Sequence, residues 1–422
     1  MKPIYLDHNA TTPVLPEVLE AMAPFWNQTS GNPSSRHQHG RYGRRALDKA
    51  RECIAENLGS DPDEIIFTSG GTESNHLAIF GITQSLVNFH SMPSPGAAIP
   101  KPRAITSTIE HPSVMECFHS LEKRDWMIDR ISVDSQGRVM LSSLNDVIHH
   151  GNHGNTVPSP ADKFSDLQCN LPRLVSVMLA NNETGAIQPV KEIVGMVQSH
   201  AIPVHTDAVQ AIGKIAIDFH DLGVSSLSLG AHKFHGPKGI GALIVHRDYP
   251  LSTILQGGHQ QSGRRAGTEP VPLIVGMAKA LELACKKLEQ KDPCVPQLAQ
   301  HFHDRLMKTL PGLVINSPPQ PYCLPNTLNV SFPGVEAQLL LMALDLNGIS
   351  CSVGSACASG STQPSPVLKA MKLSKEVINS AVRFSFGSTN TLEETNEAVE
   401  RVVDVVQQQM ALLPVQQLPH SS

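Results

Sequence analysis

The sequence predicts an α/β fold in which helices cover both faces of a mostly parallel β-sheet, and three observations lead to this prediction. Apolar runs of strand length recur along the chain. Longer segments with the spacing of amphipathic helices separate them, and such strand–helix alternation is typical of parallel sheets. The runs are apolar at almost every position, as expected for strands that are buried on both faces.

The individual elements can be placed in order along the chain. Strands are expected at residues 65–68, 174–180, 202–206 and 240–245, and a further short apolar run covers 227–229. Helices are expected to start at Glu73 and end near Gly81, to cover 190–200, and to start at Leu273 and end near Lys291. Two segments that are rich in Pro, Gly, Ser, Ala or Asn are expected to be surface insertions, 91–102 and 149–172.

Composition and charge argue against several classes of function. The chain has 33 basic and 38 acidic residues, a net charge of −5, and therefore lacks the basic surface that nucleic acids or anionic membranes attract. The first residues become polar too soon for a signal peptide, and no apolar stretch approaches membrane-spanning length. The eight cysteines show no metal-binding spacing, so reduced thiols in a cytoplasmic protein are expected.

Three histidines in the second insertion could ligate a metal: His149, His150 and His153. No cysteine or carboxylate stands at ligand spacing beside them. Solvated loop histidines are therefore the favoured interpretation, and no metal site is predicted.

The segment 68–73 predicts a phosphate-binding turn. It reads Thr-Ser-Gly-Gly-Thr-Glu between a strand and a helix. The glycines let the backbone approach an anion, the hydroxyls can donate to it, and the helix N-terminus adds free N–H groups. Gly71 and Thr72 are the candidate ligands. Such turns also occur without a ligand, so this segment alone leaves both interpretations open.

Asp207 ends the apolar run at 202–206, where open α/β sheets bind ligands, and Gln210 follows three residues later. The alternative is a helix N-cap carboxylate. Lys233, after His232, lies between the next apolar run and a Gly-Pro-Lys-Gly turn. A desolvated lysine at such a structured turn can form a Schiff base, whereas Lys238 is expected to be a surface charge.

Two further segments carry reactive or charged side chains. Small residues surround Cys357, so its thiol is expected on an accessible loop, whereas Cys351 follows the apolar Ile349 and is expected to pack as a small hydrophobe. Arg383 lies in an alternating segment. It could bind a carboxylate through two parallel bonds or could be an exposed strand charge, and the segment does not decide between them.

Together, these segments resemble NifS/IscS-type cysteine desulfurases, which are pyridoxal-phosphate (PLP) enzymes of the class V aminotransferase family. The resemblance covers nearly the whole chain outside the two insertions and the tail. Further motifs follow in the family order, at 5–13, 31–35, 108–111, 181–185, 264–268 and 354–357.

The resemblance implies the PLP-dependent aminotransferase type I-like fold. In that fold a large domain, with a mostly parallel seven-stranded sheet between helices, is joined to a smaller α+β C-terminal domain. The implied large PLP-binding domain is 15–290. The small domain, which carries the catalytic cysteine loop, is 1–14 with 291–410, and 411–422 is a flexible tail.

The resemblance also implies roles for the residues that match the family motifs. Lys233 carries PLP as a Schiff base, and Asp207 keeps the pyridine nitrogen protonated. His111 stacks on the ring, and Asn182 and Gln210 lie near its phenolic oxygen.

The implied phosphate ligands are Gly71, Thr72 and His232, joined by Thr268 from a second subunit. A homodimer is therefore expected. Arg383, with Asn182, binds the substrate.

The implied reaction takes sulfur from L-cysteine. Lys233 removes the Cα proton, and the thiolate of Cys357 attacks the sulfur, giving L-alanine and a persulfide on Cys357. An acceptor protein then collects the sulfur, either an iron–sulfur scaffold or a tRNA-thiolation relay.

Three positions depart from the family pattern. Gly230 stands where many relatives have a phosphate-binding Ser, Gln261 where a Glu is usual, and Val353 where a Ser is common. The competing interpretations are a selenocysteine lyase, a cysteine-sulfinate desulfinase or a small-amino-acid transaminase of the same fold. A non-catalytic relative is disfavoured because Lys233 and Cys357 are both present.

Overall fold

The structure is a computed structural model that describes residues 2–88, 101–150, 171–354 and 364–411. Most of the two predicted insertions and of the predicted tail, and Cys357 itself, lie outside the described residues. The chain divides into two compact units. The large unit is Thr11–Asn182 with Ala186–Asp292, and the small unit is Met1–Ala10, Glu183–Gly185 and Pro293–Ser422. The domain limits expected from the sequence stay predictions; by its contacts, 11–14 lies with the large unit.

The strands of the described residues are β1 (Ile4–Tyr5), β2 (Ile65–Thr68), β3 (Arg103–Ser107), β4 (Met127–Ile131), β5 (Pro172–Ser176), β6 (Val204–Asp207), β7 (Ser226–Gly230), β8 (Gly241–Val245), β9 (Val314–Ile315), β10 (Thr327–Ser331), β11 (Ile349–Ser350) and β12 (Ala381–Ser385). The helices are α1 (Pro16–Met22), α2 (Pro24–Asn27), α3 (Gln38–Leu58), α4 (Gly71–Asn88), α5 (Pro112–Glu122), α6 (Leu141–His150), α7 (Val190–Val197), α8 (Phe219–Leu222), α9 (Val271–Glu289), α10 (Cys294–Thr309), α11 (Ala337–Leu346), α12 (Pro366–Ala370), α13 (Lys375–Asn379) and α14 (Leu392–Ala411). None of these helices has the length and apolar character needed to cross a membrane.

The large unit contains a seven-stranded sheet in the order β2-β8-β7-β6-β5-β3-β4. Neighbouring strands from β4 to β7 pair in parallel, and only β8 runs against its two neighbours. This confirms the predicted α/β fold with a mostly parallel seven-stranded sheet. The strand expected at 65–68 has those limits, whereas the strand expected at 174–180 ends at Ser176 and the helix expected at 73–81 continues to Asn88.

Three hydrogen-bonded polar side chains form a row across the middle of this sheet, from β5 through β6 to β7. The imidazole of buried His205 on β6 lies 2.8 Å from Oγ of Ser176 on β5 and 3.0 Å from Oγ of Ser228 on β7. Burial lowers the pKa of His205 to about 3, so the ring is neutral at physiological pH. A neutral ring bridging two hydroxyls satisfies its hydrogen bonds without burying a charge.

The side chain of Gln261 forms hydrogen bonds with the backbone of β2, the edge strand of this sheet. Its Oε1 accepts from the backbone N–H of Phe67 at 2.9 Å, and its Nε2 donates to the Phe67 carbonyl at 2.8 Å. An amide can do both, whereas an ionised carboxylate can only accept. Gln261 therefore satisfies both hydrogen-bonding groups of Phe67 at the edge of β2.

The small unit has its own sheets and core. Strands β12, β10 and β9 form an antiparallel sheet, and β1 pairs with β11 in parallel. Phe302 of α10 packs against Phe384 and Phe386, with ring centroids 4.9 and 5.4 Å away. This apolar core fixes β12, on which Arg383 lies.

Candidate active site

The candidate residues of the large unit lie where its parallel strands end. β6 ends at Asp207, and β7 ends at Gly230 and continues into a short turn that contains His232 and Lys233. Because β6 and β7 are adjacent and parallel, both ends lie at the same edge of the sheet. The carboxyl edge of an open α/β sheet is where ligands bind. The sheet thus brings together two segments that are 26 residues apart in the sequence, from Asp207 to Lys233.

A cavity of about 390 Å³ lies at this edge, beside the N-terminus of α4. Gly71, Thr72 and His232, which were predicted to hold a phosphate, all line it. Its other lining residues are Thr11, Ser69, Gly70, Glu73, Lys238, Gly239 and Ile240. Free helix N–H groups, hydroxyls and a lysine give this cavity the donors that an anion needs.

Two glycines allow the backbone segments around the cavity to approach each other. A Cβ atom on Gly241, in β8, would lie 2.5 Å from the Leu229 carbonyl oxygen and 2.8 Å from Cα of Gly70. A Cβ atom on Gly71 would lie 2.6 Å from Cγ2 of Val209. The turn after β2 therefore lies close to the end of β7 and to Val209 only because these positions lack side chains.

The acidic residue beside the cavity is neutralised within the large unit. The guanidinium of Arg265 donates to both carboxylate oxygens of Glu73, at 2.7 and 3.0 Å, and the N–H of Ser69 donates at 2.7 Å. Burial opposes ionisation, but the hydrogen bonds from Arg265 and Ser69 lower the pKa of Glu73 overall. Arg265 thus keeps a carboxylate at the cavity from repelling a bound anion.

The turn that carries Lys233 is held by the segment 11–13. Thr12 donates twice to the His232 carbonyl, from its N–H and its Oγ1, both at 2.9 Å. Oγ1 of Thr12 also accepts from the N–H of His235 at 2.7 Å. Burial, aided by the nearby Lys233 charge, lowers the pKa of His232 to about 4. The side chain of His232 is therefore neutral at physiological pH.

A chain of hydrogen bonds links Asp207 to His111. Asn75, in α4, donates from Nδ2 to Oδ2 of Asp207 at 2.7 Å and to Oγ of Ser113 at 2.9 Å. Oγ of Ser113 lies 2.8 Å from Nδ1 of His111, the residue that caps α5. The other oxygen of Asp207 accepts from the N–H of Val209 at 3.0 Å. Asp207 therefore accepts from the turn that follows β6, and no helix begins there for it to cap.

The structure places the other predicted residues of the large unit as follows. Oε1 of Gln210 accepts from Nζ of Lys214 at 2.7 Å. Asn182 is buried at the end of the unit, and Thr268 is exposed on the single chain. An exposed Thr268 is compatible with the expected role toward a second subunit.

Arg383 lies in the small unit and is almost completely buried, with 1% of its side chain exposed. The interpretation of Arg383 as an exposed strand charge is therefore wrong. Nη2 of Arg383 donates to Oδ1 of Asp7 at 2.6 Å. Burial without a partner would be costly for a guanidinium, and Asp7 supplies the countercharge.

The ends of the segment that contains Cys357 are described, although Cys357 is not. Oγ of Ser365 donates to Oε2 of Glu183 at 2.6 Å, and Ser365 caps α12. Cys351 packs against the small unit's apolar core, and burial raises the pKa of its thiol. Cys351 thus packs as a small hydrophobe, as expected from its sequence context.

A larger cavity, of about 920 Å³, lies at the opposite edge of the large unit's sheet. Its lining includes Pro172, Pro203 and Val224, at the amino ends of β5, β6 and β7. That edge is not where ligands of open α/β sheets bind, so the smaller cavity is the better candidate.

Among the described residues, one group of His and Glu side chains brings its ligand atoms within 4.8 Å of one another: Glu64, His220 and His246. Nε2 of His220 lies 2.9 Å from Oε2 of Glu64. The same carboxylate accepts from the N–H groups of Asp61 and Arg247, at 2.9 and 3.2 Å. These protein donors account for the burial of Glu64 without a metal ion.

Several residues that support the site were not predicted from the sequence. Asn75 and Ser113 connect Asp207 to His111, and Asp7 pairs with Arg383. Each of these residues lies inside or next to a segment that carries a family motif or a candidate site residue, and this proximity was the signal that could have found them. Lys238, expected to be a surface charge, is exposed and also lines the cavity.

Comparisons with known proteins show the family to which the chain belongs. Residues 4–397 match the family described as Aminotransferase class-V. The chain is 38% identical over 414 residues to cysteine desulfurase IscS of Dictyoglomus turgidum (strain DSM 6724 / Z-1310), covering 98% of this chain and 97% of the relative. A solved NifS-like protein matches with a TM-score of 0.82 and 34% identity, over 96% of this chain and 100% of that chain. SspA in complex with cysteine matches with a TM-score of 0.72 and 32% identity, over 90% and 98%.

Proposed function

Because this chain belongs to the aminotransferase class-V family and is a cysteine desulfurase, we propose that Lys233 holds PLP and that Cys357 receives the sulfur of L-cysteine. One observation carries the proposal for the cofactor. The carboxyl ends of β6 and β7 bring Asp207 and the turn of Lys233 to one edge of the sheet, where the cavity lined by Gly71, Thr72 and His232 lies.

The residues at this edge fit PLP. A phosphate needs several donors and space for close approach, and the cavity offers helix N–H groups, hydroxyls and Lys238 beside the side-chain-free Gly71. A pyridine nitrogen that must stay protonated needs an anion, and Asp207 is held in place by Asn75. When bound, PLP supplies an electron sink for the bond changes at the substrate Cα.

Side chains of this protein are proposed to carry out the remaining steps. Lys233 moves the proton at Cα, and His111, fixed by its contact with Ser113, stacks on the ring. Arg383 binds the substrate carboxylate through its planar fork of donors. The thiolate of Cys357 attacks the substrate sulfur: the S–S bond forms, the C–S bond breaks with its electron pair left on Cβ, and protonation of Cβ from solvent and of Cα by Lys233 gives alanine.

Cysteine as the substrate is supported by the nature of the relatives and by the solved SspA complex, which contains cysteine. Asn182, which is buried at the end of the large unit, is proposed as a second substrate contact, and Asn182 and Gln210 as neighbours of the phenolic oxygen.

A homodimer is part of the proposal. Thr268 is exposed on the single chain, and the segment that leads to it exposes the apolar side chains of Ile254 and Leu255. Contact with a second subunit would cover these side chains and bring Thr268 to the partner's phosphate site.

The persulfide on Cys357 is passed to an acceptor protein, an iron–sulfur scaffold or a tRNA-thiolation relay. A cytoplasmic location suits this chemistry because the thiol must be reduced before each turnover.

The direct experiment is an assay of the purified, PLP-loaded protein with L-cysteine. Alanine should form in an amount equal to the sulfur released in the presence of a thiol reductant. Formation of pyruvate, or of keto acid in place of alanine, would contradict the proposed reaction.

A further inference from the structure

Asp7 joins two functional segments of the small unit. Its Oδ1 accepts from Nη2 of Arg383 at 2.6 Å, and its Oδ2 accepts from Oγ of Ser352 at 2.8 Å. Ser352 lies five residues before Cys357. One carboxylate therefore contacts both the arginine proposed to bind the substrate and the segment that leads to the proposed nucleophile.

The backbone reinforces this connection. Ser352 and Arg383 exchange two hydrogen bonds, with the N–H of Arg383 donating to the Ser352 carbonyl at 2.7 Å and the reverse bond at 3.2 Å. Asp7 follows β1, which pairs in parallel with β11, and forms a bridge with Ser385 at the end of β12. These backbone pairings fix the position of Asp7 and hence of its carboxylate. The side chain of Asp7 is 14% exposed.

A fixed carboxylate determines how a guanidinium presents its donors. The guanidinium is planar, with its donors in a rigid fork, so a short bond at Nη2 fixes the directions of the others. Bidentate recognition of a substrate carboxylate needs that orientation before the substrate arrives, because ordering a long side chain on binding lowers affinity.

We propose that Asp7 is a positioning residue that orients Arg383 for the substrate carboxylate and links it to Ser352. This inference rests on the proposed role of Arg383 in substrate binding. Asp7 acts through Arg383 and does not itself touch the substrate. The negative charge of Asp7 also compensates the positive charge of the buried Arg383 guanidinium while the substrate is absent.

The test compares Asp7→Ala with Asp7→Asn in the PLP-loaded enzyme. Asn keeps an acceptor oxygen for Nη2 of Arg383 and an amide that can donate to Oγ of Ser352, so it preserves the geometry without the charge. Ala removes both contacts. A positioning role predicts that the KM for L-cysteine rises about tenfold or more in Asp7→Ala, the loss expected for a hydrogen bond to a charged group. In Asp7→Asn, the KM for L-cysteine should lie within about threefold of that of the parent enzyme. The kcat should change little in either variant.

Competitive binding separates positioning from general damage. Inhibition by L-alanine, which has the carboxylate but no thiol, should weaken in Asp7→Ala in parallel with the KM. Inhibition by cysteamine, which has the thiol and amine but no carboxylate, should be unchanged. A loss of cysteamine inhibition equal to that of alanine, or an unchanged KM in Asp7→Ala, would overturn the proposal.

Two further variants keep the outcome interpretable. Arg383→Lys, measured in parallel, tests the proposed function itself. If the KM of Arg383→Lys is normal, Arg383 is not the carboxylate site. If the KM is raised in Arg383→Lys but normal in Asp7→Ala, only the role of Asp7 is refuted. If Asp7→Ala does not fold, Ser352→Ala replaces it. This variant removes one of the two contacts that fix Asp7 and should raise the KM about two- to fivefold; an unchanged KM would overturn the proposal.

Discussion

Asn75 donates a 2.7 Å hydrogen bond from its Nδ2 atom to Oδ2 of Asp207, and the same amide nitrogen lies 2.9 Å from Oγ of Ser113. Both Asn75 and Asp207 are buried. Helix α4, whose first residues line the anion cavity, therefore also supplies the group that orients the carboxylate proposed to face the PLP ring.

Replacing Asn75 by Ala should weaken PLP binding. The change leaves an oxygen of the buried Asp207 without a donor, which costs about 1–3 kcal/mol. Titration of the apo-protein with PLP should therefore show a dissociation constant raised by about tenfold. Ser113→Ala is the matched control, because it breaks the link to His111 but leaves the bond to Asp207. Equal PLP affinities in the Asn75 variant and the parent protein would show that Asp207 does not depend on this bond.

Gly230 can be tested as the missing hydroxyl of the phosphate site. Its backbone is extended, with φ −139° and ψ 122°, so any residue can adopt it. An added Cβ would lie 3.3 Å from the backbone N of Gly71, which is a tight contact. Gly230→Ala measures this crowding alone, and Gly230→Ser adds the hydroxyl. The Ser variant should bind PLP more tightly than the Ala variant, by about 0.5–1.5 kcal/mol. Equal dissociation constants would mean that the hydroxyl does not reach the phosphate.

Lys233 is expected to be the point of covalent attachment. Reduction of the yellow protein with borohydride should fix PLP to the peptide that contains Lys233, and Lys233→Ala should lose both this link and turnover of cysteine. Lys238→Ala is the control: Lys238 lines the cavity and is exposed, so its loss should weaken PLP binding and leave the reducible link intact. Normal turnover in Lys233→Ala would refute the assignment.

The buried His205 gives the folded chain a defined sensitivity to acid. Its pKa is about 3 in the folded chain because of burial, and about 6.5 in an unfolded chain. Between these values the unfolded state binds a proton that the folded state does not. The free energy of unfolding should therefore fall as the pH drops below about 6.5, by up to about 1.4 kcal/mol per pH unit from this group.

His205→Gln tests this directly, because Gln keeps a donor and an acceptor for Ser176 and Ser228 but does not titrate. Urea unfolding of the apo-proteins between pH 7 and pH 5 should give a smaller slope for the variant. His232, whose pKa is lowered to about 4, and Glu110, whose pKa burial raises to about 8, contribute equally to both proteins, so the difference between the two slopes reports His205. Identical slopes would mean that the pKa of His205 is the same in the folded and the unfolded chain.

The parts of the fold and site that could be predicted are those with a local sequence signal. The apolar run at 65–68 and the Gly-Gly turn after it are contiguous, and Asp207 follows its strand directly. The bond between Asp7 and Arg383 joins residues 376 positions apart, and that between Asn75 and Asp207 joins residues 132 apart. Such pairs depend on which strands become neighbours, and a segment's own composition contains no signal for that.

Gln261 shows a second limit. Its departure from the family's Glu is visible in the sequence, but its reason is the backbone of Phe67, which needs both a donor and an acceptor at the edge of β2. Similarly, the alternating segment around Arg383 leaves its exposure undecided. Burial of Arg383 depends on how β12 packs within the small unit, which only the tertiary structure provides.

The most direct test of the proposed chemistry is to locate the sulfur after a single turnover. The PLP-loaded enzyme is mixed with one equivalent of L-cysteine, alkylated and digested, and the extra sulfur is mapped by peptide mass, with Cys351→Ser and Cys357→Ser in parallel. Burial raises the pKa of the Cys351 thiol, so it should stay unreactive, and Cys351→Ser should keep most of the activity. The proposed mechanism predicts a persulfide on Cys357, and loss of alanine and sulfide formation in Cys357→Ser. A persulfide on Cys351, or full activity in Cys357→Ser, would contradict it.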